Sequence, residues 1–214
     1  MPHEFPLWKI VYTYFGRWRK DGTRERVHTV LREAVRLKKG HAKQPSAAIL
    51  DSQSVKTVDG GTDRGYDADR KVTGRKRHLI VDTLGLASLV VVTAASVQDR
   101  EGGQDLLHLL FLRIKKSKFS RGYRLKLIWA DGGYRGELIG WIRQHFGWTL
   151  EIVERPPEQV GFHVLPKRWI VEPTFAWLNR HRRLSKNHKQ LPETSEAFIY
   201  AAMIRLMLKQ LARA

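Results

Sequence analysis

The order of strand-like and helix-like segments after residue 46 constrains the fold of this chain more than any other feature of its sequence. A short apolar run ends at Asp51, and the β-branched runs HLIVDT and ASLVVVTAAS are separated by Leu84-Gly85, which predicts a hairpin. Later segments alternate between amphipathic helices and apolar strands, in the order EGGQDLLHLLFLRIKK, LKLIWADGG, GELIGWIRQHFG and TLEIVERP. Two more helices are predicted, one around Glu172 and one at the C-terminus. This order is typical of an α/β fold, in which a mixed sheet has helices on both faces.

Residues 1–44 have a different character, with basic amphipathic helices in place of strands. The segments WKIVYTYFGRWRKDG and ERVHTVLREAVRLKKG place apolar residues at helical spacing, and Asp21-Gly22 separates them. Two short helices joined by a turn are typical of half a helix-turn-helix module, and equally of a helical hairpin packed on the main domain. The stretch HAKQPS at 41–46 is predicted to be a linker. We therefore expect a helical segment at 1–44 and an α/β domain at 45–214.

The charge of the chain restricts its partners. With 39 Lys and Arg against 21 Asp and Glu, the net charge is +18, and this excess indicates a polyanionic partner. DNA, RNA and an anionic membrane surface all fit. A membrane fits least well, because no apolar run approaches the roughly 20 residues of a spanning helix and the N-terminus lacks a signal-peptide pattern. Cysteine is absent, which excludes disulfides and thiolate metal sites, so a cytosolic protein is the simplest interpretation.

Two aspartates follow apolar runs at equivalent points. Asp51 precedes Ser-Gln-Ser, and Asp131 precedes Gly-Gly-Tyr. Ligands of α/β folds bind at the carboxyl ends of strands, although either aspartate alone is also explained as a helix cap or a turn residue. Glu172 adds a third acid, the only one between Gln159 and Pro192. Three carboxylates repel one another unless a cation neutralises them, and Mg²⁺ or Mn²⁺ prefers such oxygen ligands.

Several motifs, in the same order along the chain, resemble one family of enzymes. They are ILDSQSV around Asp51, GRKRH at 74–78 followed by VDTLG, ADGGYRG around Asp131, and RWIVE at 168–172 followed by FAWLNR. Together they resemble the DDE transposases of bacterial insertion sequences, most closely those of insertion-sequence family five. The resemblance implies an RNase H-like fold, whose mixed sheet has three antiparallel strands followed by parallel ones. It also implies that Asp51, Asp131 and Glu172 are the catalytic metal ligands.

The resemblance further implies a reaction and its partners. Two Mg²⁺ or Mn²⁺ ions at these acids would activate water to nick DNA at the ends of a mobile element, and the freed 3′-hydroxyl would attack target DNA. The expected partner is double-stranded DNA (terminal inverted repeats and target), the expected active form is a homo-oligomer, and the expected location is the bacterial cytoplasm, at the nucleoid. Family members carry a longer helical N-terminal domain, so residues 1–44 are expected to be its remnant. Two alternatives stay open: another RNase H-like nuclease, and an inactive truncated transposase that only binds DNA.

The stretch around Glu172 departs from the family pattern. The related signature Tyr-x2-Arg-x3-Glu-x6-Lys matches at Arg168 and Glu172, but Leu165 and Asn179 stand at its Tyr and Lys positions. Pro173 follows Glu172, and proline is compatible with a helix there only if the helix begins close to it. The predicted helix therefore has to place its first turn at this proline.

The basic residues near the proposed acids are the predicted DNA contacts. The cluster from Arg70 to His78 is predicted to be a loop that contacts phosphates, with a solvated charged loop as the alternative. The basic residues after Glu172 are predicted to continue the same track. Asp82 lies inside a strand and is predicted to be structural, and Asp99, after the third strand, is predicted to support the metal ligands. The predicted DNA-binding set is Lys71, Arg75, Lys76, Arg77, His78, Tyr134, Arg135, Arg168, Arg180, Arg182, Arg183 and Lys186.

Overall fold

The computed structural model describes residues 4–58, 61–116, 123–154, 167 and 169–213. The strands are β1 (Ala47–Lys56), β2 (Gly65–Asp67), β3 (Val72–Asp82), β4 (Ala87–Ala94), β5 (Leu127–Ala130) and β6 (Thr149–Ile152). The helices are α1 (Trp8–Lys20), α2 (Thr23–Lys38), α3 (Asp99–Lys116), α4 (Glu137–Phe146), α5 (Glu172–Asn179), α6 (Arg182–Ser185) and α7 (Pro192–Ala212). The sequence does not predict β2 or α6, which are too short to show a period. Within the described ranges, no helix has the length and apolar character needed to cross a membrane.

The strands form one mixed sheet with β1 near its centre. β1 pairs antiparallel with β3, and β3 pairs antiparallel with β4 and, at its beginning, with β2. On its other side β1 pairs parallel with β5, and β5 pairs parallel with β6. Helices separate the parallel strands along the chain, because a parallel pair needs a long crossover connection. The predicted α/β class and the RNase H-like order of strands are therefore confirmed.

Apolar side chains on the two faces of the sheet form two cores. One core contains Ile49 and side chains from α2, α5 and α7, and the other contains Leu50 and side chains from α3 and α4. Alternate residues of a strand face opposite sides of its sheet, so Asp51 shares the orientation of Ile49, and Ser52 that of Leu50. Because helices cover both faces, β1 and β3 contain continuous apolar runs.

The N-terminal helices pack on the α/β domain. α2 lies against α7, and its Val35 belongs to the first core. The guanidinium of Arg36 donates a hydrogen bond to Asp82 Oδ2 over 2.8 Å, and both side chains are buried. Asp82 also accepts from the backbone N–H groups of Leu84 and Leu86, so it is structural, as predicted. Of the two alternatives predicted for residues 1–44, this packing corresponds to the helical hairpin. The domain division at residue 44 stays a prediction.

Two strands are longer than the sequence predicts. β1 continues to Lys56, so Asp51 lies within the strand and not at its end, because residues 52–54 pair with β3 through their backbone. β3 begins at Val72, so the predicted loop over 70–78 is wrong, and most of it is strand. Backbone pairing does not depend on side-chain polarity, and polar residues therefore concealed both extensions.

Candidate active site

Parallel pairing of the central strands brings two aspartates to the same level. Ile49 of β1 pairs with Trp129 of β5, and Asp51 and Asp131 each follow two residues later. Neighbouring strands lie about 4.8 Å apart, so the two aspartates start from adjacent backbone positions. Asp131 directly follows β5, as predicted. The structure thus brings together two of the three predicted catalytic acids.

Each aspartate is oriented by a backbone N–H group close to it in sequence. Asp51 Oδ1 accepts from the N–H of Ser52 over 2.7 Å, and the side chain of Asp51 is buried. Asp131 Oδ1 accepts from the N–H of Gly133 over 3.0 Å, at the start of a 3-10 turn, and Asp131 is half-buried. The backbone of β1 and of the turn after β5 therefore fixes the direction of both carboxylates.

Tyr134 lies close enough to both aspartates, and to Asp99, for their charges to act on its hydroxyl. Its ring is fully buried in the core formed with α3 and α4. Burial raises the pKa of its hydroxyl well above the ordinary value, and the charges of Asp51, Asp99 and Asp131 raise this pKa further. These acids therefore share the surroundings of one buried hydroxyl. Because the ring has no exposed surface, the predicted contact of Tyr134 with DNA is not compatible with its position.

Asp99, the first residue of α3, connects β1 and β3 beside the pair. Its Oδ1 accepts from Ser52 Oγ over 2.8 Å and lies 2.9 Å from Lys76 Nζ. Lys76 Nζ also lies 3.3 Å from Asp67 Oδ2. Arg70 donates to Ser52 Oγ over 3.1 Å, and its guanidinium lies 3.5 Å from Asp99 Oδ2. The sequence indicates Asp99, but it gives no sign of Asp67 or Ser52, because only the folding of β1, β3 and α3 against one another brings them to their partners.

A cavity of about 530 Å³ opens beside Asp131 and this network of charges. Its walls include Tyr66, Arg70, Gln98 and Asp99. The lining combines one aromatic ring with an amide and with charges of both signs. It is an opening through which a bound ligand can reach the side of Asp131.

Glu172 begins α5 and lies outside the aspartate pair. The helix is fixed at its start by Thr174, whose hydroxyl donates to the carbonyl oxygen of Gly85 over 2.7 Å. Gly85 belongs to the turn between β3 and β4, at the end of the sheet where β1 begins. Pro173 lies in the first turn of α5, which meets the requirement that the helix begin close to it. In the part of the chain that the structure describes, no three Asp, Glu or His side chains are grouped closely enough to hold a metal ion.

The chemistry of the aspartate pair fits a hard divalent cation. Carboxylate oxygens are the ligands that Mg²⁺ and Mn²⁺ prefer, and two neighbouring carboxylates repel each other unless a cation neutralises them. Asp51 and Asp131 therefore form the candidate metal centre. Glu172, the third predicted ligand, is not part of it in this structure.

Four of the predicted DNA contacts are buried in β3. Arg75 donates to backbone carbonyl oxygens in the segment before α7. Arg77 donates to the carbonyl oxygen of Leu184 over 2.5 Å. Lys76 binds the carboxylates described above. Burial lowers the pKa of His78 to about 4, so this imidazole is neutral at pH 7. These side chains bind protein groups, and contact with DNA is not compatible with their burial.

The remaining predicted DNA contacts lie on the surface. Lys71 is exposed just before β3, and Arg135 is exposed and pairs with Glu154. The exposed cations around α6 are Arg180, Arg182, Arg183 and Lys186. None of these four forms an ion pair with another residue of the described ranges. Arg168 lies outside the described residues.

Comparison with known proteins gives matches of sequence and of structure. The family described as Transposase DDE domain matches residues 42–208. A protein of Burkholderia cepacia, assigned as the transposase of insertion sequence element IS402, is 30% identical over 149 residues, and the match covers 68% of each protein. The solved catalytic domain of the Mos1 mariner transposase aligns with 99% of this chain and 94% of that one, at 9% identity and a TM-score of 0.40.

Proposed function

This chain belongs to the transposases with a DDE domain, and from that premise we propose that it cuts DNA at the ends of an insertion sequence and transfers the freed 3′ ends to target DNA. The observation that carries the proposal is the position of Asp51 and Asp131 at one level on parallel strands. The net charge of +18 supports a polyanionic substrate. The reaction proceeds without a covalent bond between protein and DNA, so no serine or tyrosine is needed as a nucleophile.

Asp51 and Asp131 are the proposed ligands of the divalent ions. When bound, Mg²⁺ or Mn²⁺ supplies an activated nucleophile and stabilises the leaving oxygen. The backbone N–H groups of Ser52 and Gly133 hold the two carboxylates in place for this task. Glu172 stays in the proposal as the third ligand on the strength of the family resemblance alone.

The exposed cations around α6 are the proposed contacts to DNA. Lys and Arg side chains at a surface bind the phosphate backbone whatever the base sequence. Lys71 and Arg135 extend the proposed surface, and Arg168 is retained from the sequence prediction. Double-stranded DNA, as element ends and as target, is the proposed partner, and a homo-oligomer is proposed from the family resemblance.

The proposal is tested by cleavage and joining assays on a plasmid that carries the DNA flanking the gene. The wild-type protein is expected to make Mg²⁺-dependent nicks at defined ends and to join a 3′-hydroxyl end to a second duplex. Asp51→Asn and Asp131→Asn are expected to lose both products, because the amide keeps the shape of the side chain and removes its charge. Asp105→Asn, at an exposed aspartate of α3, is the matched control and keeps both products.

The outcomes separate the candidate functions. Cleavage at the wild-type rate by Asp51→Asn or Asp131→Asn would show that the residue is not a metal ligand. Cleavage without joining would identify another kind of RNase H-like nuclease. A loss of cleavage in Glu172→Gln would identify Glu172 as a ligand, and an unchanged rate would exclude it.

A second candidate function is DNA binding without cleavage. The position of Glu172 outside the aspartate pair favours it. This function predicts that log affinity falls with log salt by about 0.9 for each phosphate contact, with no Mg²⁺-dependent product at any salt concentration.

A further inference from the structure

Asp99 is linked to the first catalytic aspartate through one serine. Ser52 donates its N–H to Asp51 Oδ1 over 2.7 Å and its hydroxyl to Asp99 Oδ1 over 2.8 Å. The hydroxyl side of Ser52 faces α3, where Asp99 begins the helix, whereas the side chain of Asp51 leaves the strand on the other face. A change at Asp99 therefore acts on Asp51 through the backbone of β1.

Asp99 is also close to the second catalytic aspartate. A Cβ atom placed on Gly133 would lie 3.2 Å from Asp131 Oδ1 and 3.6 Å from Asp99 Oδ2. The two carboxylates thus approach the same glycine of the turn after β5. Asp99 consequently borders both members of the Asp51–Asp131 pair without belonging to the group that would hold a cation.

Two cations contact Asp99. Lys76 Nζ lies 2.9 Å from Asp99 Oδ1 and 3.3 Å from Asp67 Oδ2, and only 7% of the Lys76 side chain is exposed. The Arg70 guanidinium lies 3.5 Å from Asp99 Oδ2. A buried ammonium is weakly screened by solvent, so its field extends to neighbouring carboxylates unless an acid compensates it.

We propose that Asp99 is a positioning residue for the Asp51–Asp131 pair. Asp99 holds Ser52 and neutralises Lys76, so that the pair keeps enough negative charge to bind a divalent cation. This inference rests on the proposed function, because it assigns the cation to that pair. Groups behind metal ligands commonly change metal affinity by roughly tenfold to a hundredfold when they are altered. Ordinary helix capping by Asp99 would stabilise α3 and leave the metal affinity unchanged.

The test measures Mn²⁺ binding to the 214-residue chain by electron paramagnetic resonance, without DNA. Asp99→Asn keeps an oxygen that can accept from Ser52 and removes the charge beside Lys76. We expect it to weaken Mn²⁺ binding by roughly tenfold or more. Lys76→Met alone removes the nearer of the two cations that contact Asp99 and is expected to strengthen Mn²⁺ binding. The double variant is expected to return to within about threefold of wild type.

Controls keep the inference separate from the proposed function. Asp105→Asn removes a charge from the exposed side of the same helix and is expected to leave Mn²⁺ binding unchanged. Wild-type affinity in Asp99→Asn, or a double variant as weak as Asp99→Asn, would overturn the role of Asp99. If Asp99→Asn does not fold, unchanged or weaker binding in Lys76→Met overturns it equally. Asp51→Asn and Asp131→Asn decide the proposed function, because Mn²⁺ binding at the wild-type level in both would remove the metal centre itself.

Discussion

Two clusters of basic residues look alike in the sequence and lie in opposite environments. In β3, Arg75, Lys76 and Arg77 are at most 5% exposed, and they bind carbonyl oxygens and carboxylates of distant segments. Around α6, the cations that include Arg182 and Arg183 are exposed and form no ion pair with another described residue. The cations of β3 therefore bind groups within the protein, whereas the cations around α6 are accessible to an external anion.

The comparison shows that partners, and not charge density, decide what a basic cluster does. The β3 cluster reaches residues that are far away in sequence, such as Leu184 and Asp99. Its burial is tolerable because each of the three cations binds at least one carbonyl or carboxylate oxygen, since an unbound buried charge is costly. The side chains of the α6 cluster stay hydrated, and they can therefore exchange counterions for DNA phosphates.

The largest expected effect comes from removing a buried member of the β3 cluster. Arg75→Met deletes the donors to the carbonyl oxygens of Thr62, Lys189 and Gln190. We expect the free energy of unfolding to fall by about 3 kcal/mol, because buried acceptors lose their partners. Chemical denaturation measures this change. Arg182→Met, at an exposed position, is the control and is expected to change stability by less than about 0.5 kcal/mol. Equal costs in the two variants would abolish the distinction between the clusters.

A second prediction concerns DNA affinity and has the opposite pattern. Arg182→Ala combined with Arg183→Ala is expected to reduce the slope of log affinity against log salt by about 1.8, at about 0.9 per phosphate contact. Fluorescence anisotropy with a labelled duplex at several salt concentrations measures this slope. Lys115→Ala combined with Lys116→Ala removes the same charge from the far end of α3 and is expected to leave the slope unchanged. An equal reduction of the slope in the two double variants would show that the slope depends only on net charge and that α6 does not contact DNA.

The smallest expected effect at neutral pH concerns a buried histidine, whose influence on stability develops only as the pH falls. Burial, helped by the charges of Arg32, Arg113 and Arg24, lowers the pKa of His28 to about 3. Below pH 6.5 the unfolded chain binds a proton that the folded chain rejects, so stability falls as pH decreases from about 6.5 towards 3. One such histidine contributes a slope of up to about 1.4 kcal/mol per pH unit.

His28→Phe is expected to reduce that slope, measured as the free energy of unfolding between pH 4 and pH 7. His78 contributes a similar dependence, because burial lowers its pKa to about 4, so the slope decreases and does not vanish. His188→Phe, at an exposed position, is the control that leaves the slope unchanged. An identical slope in the wild-type protein and His28→Phe would show that His28 titrates normally.

Much of the fold follows from local sequence signals. The hairpin at Leu84-Gly85, the strand that ends before Asp131 and the helix that begins at Glu172 each depend on periodicity or on a turn residue or proline nearby. The pairing of β1 with β5 was needed to place Asp51 beside Asp131, and the alternation of strands and helices already implied a parallel pair.

Other features could not be predicted because their causes lie in distant segments. The residues that begin β3 are charged, and groups from distant segments, such as Asp99 of α3 and the Leu184 carbonyl of α6, make their burial stable. Asp51 lies inside β1 because the polar residues after it pair with the same charged part of β3. The position of Glu172 depends on the contact of Thr174 with the hairpin turn, which periodicity does not encode.

Iron-directed cleavage of the protein can show whether Asp51 and Asp131 form the metal centre. Fe²⁺ takes the place of Mg²⁺ and, with ascorbate and peroxide, generates radicals that cut the backbone close to the ion. We expect cuts next to residues 51 and 131 that excess Mg²⁺ suppresses and that Asp51→Asn abolishes. Cuts elsewhere in the chain, or cuts that neither Mg²⁺ nor Asp51→Asn affects, would contradict it.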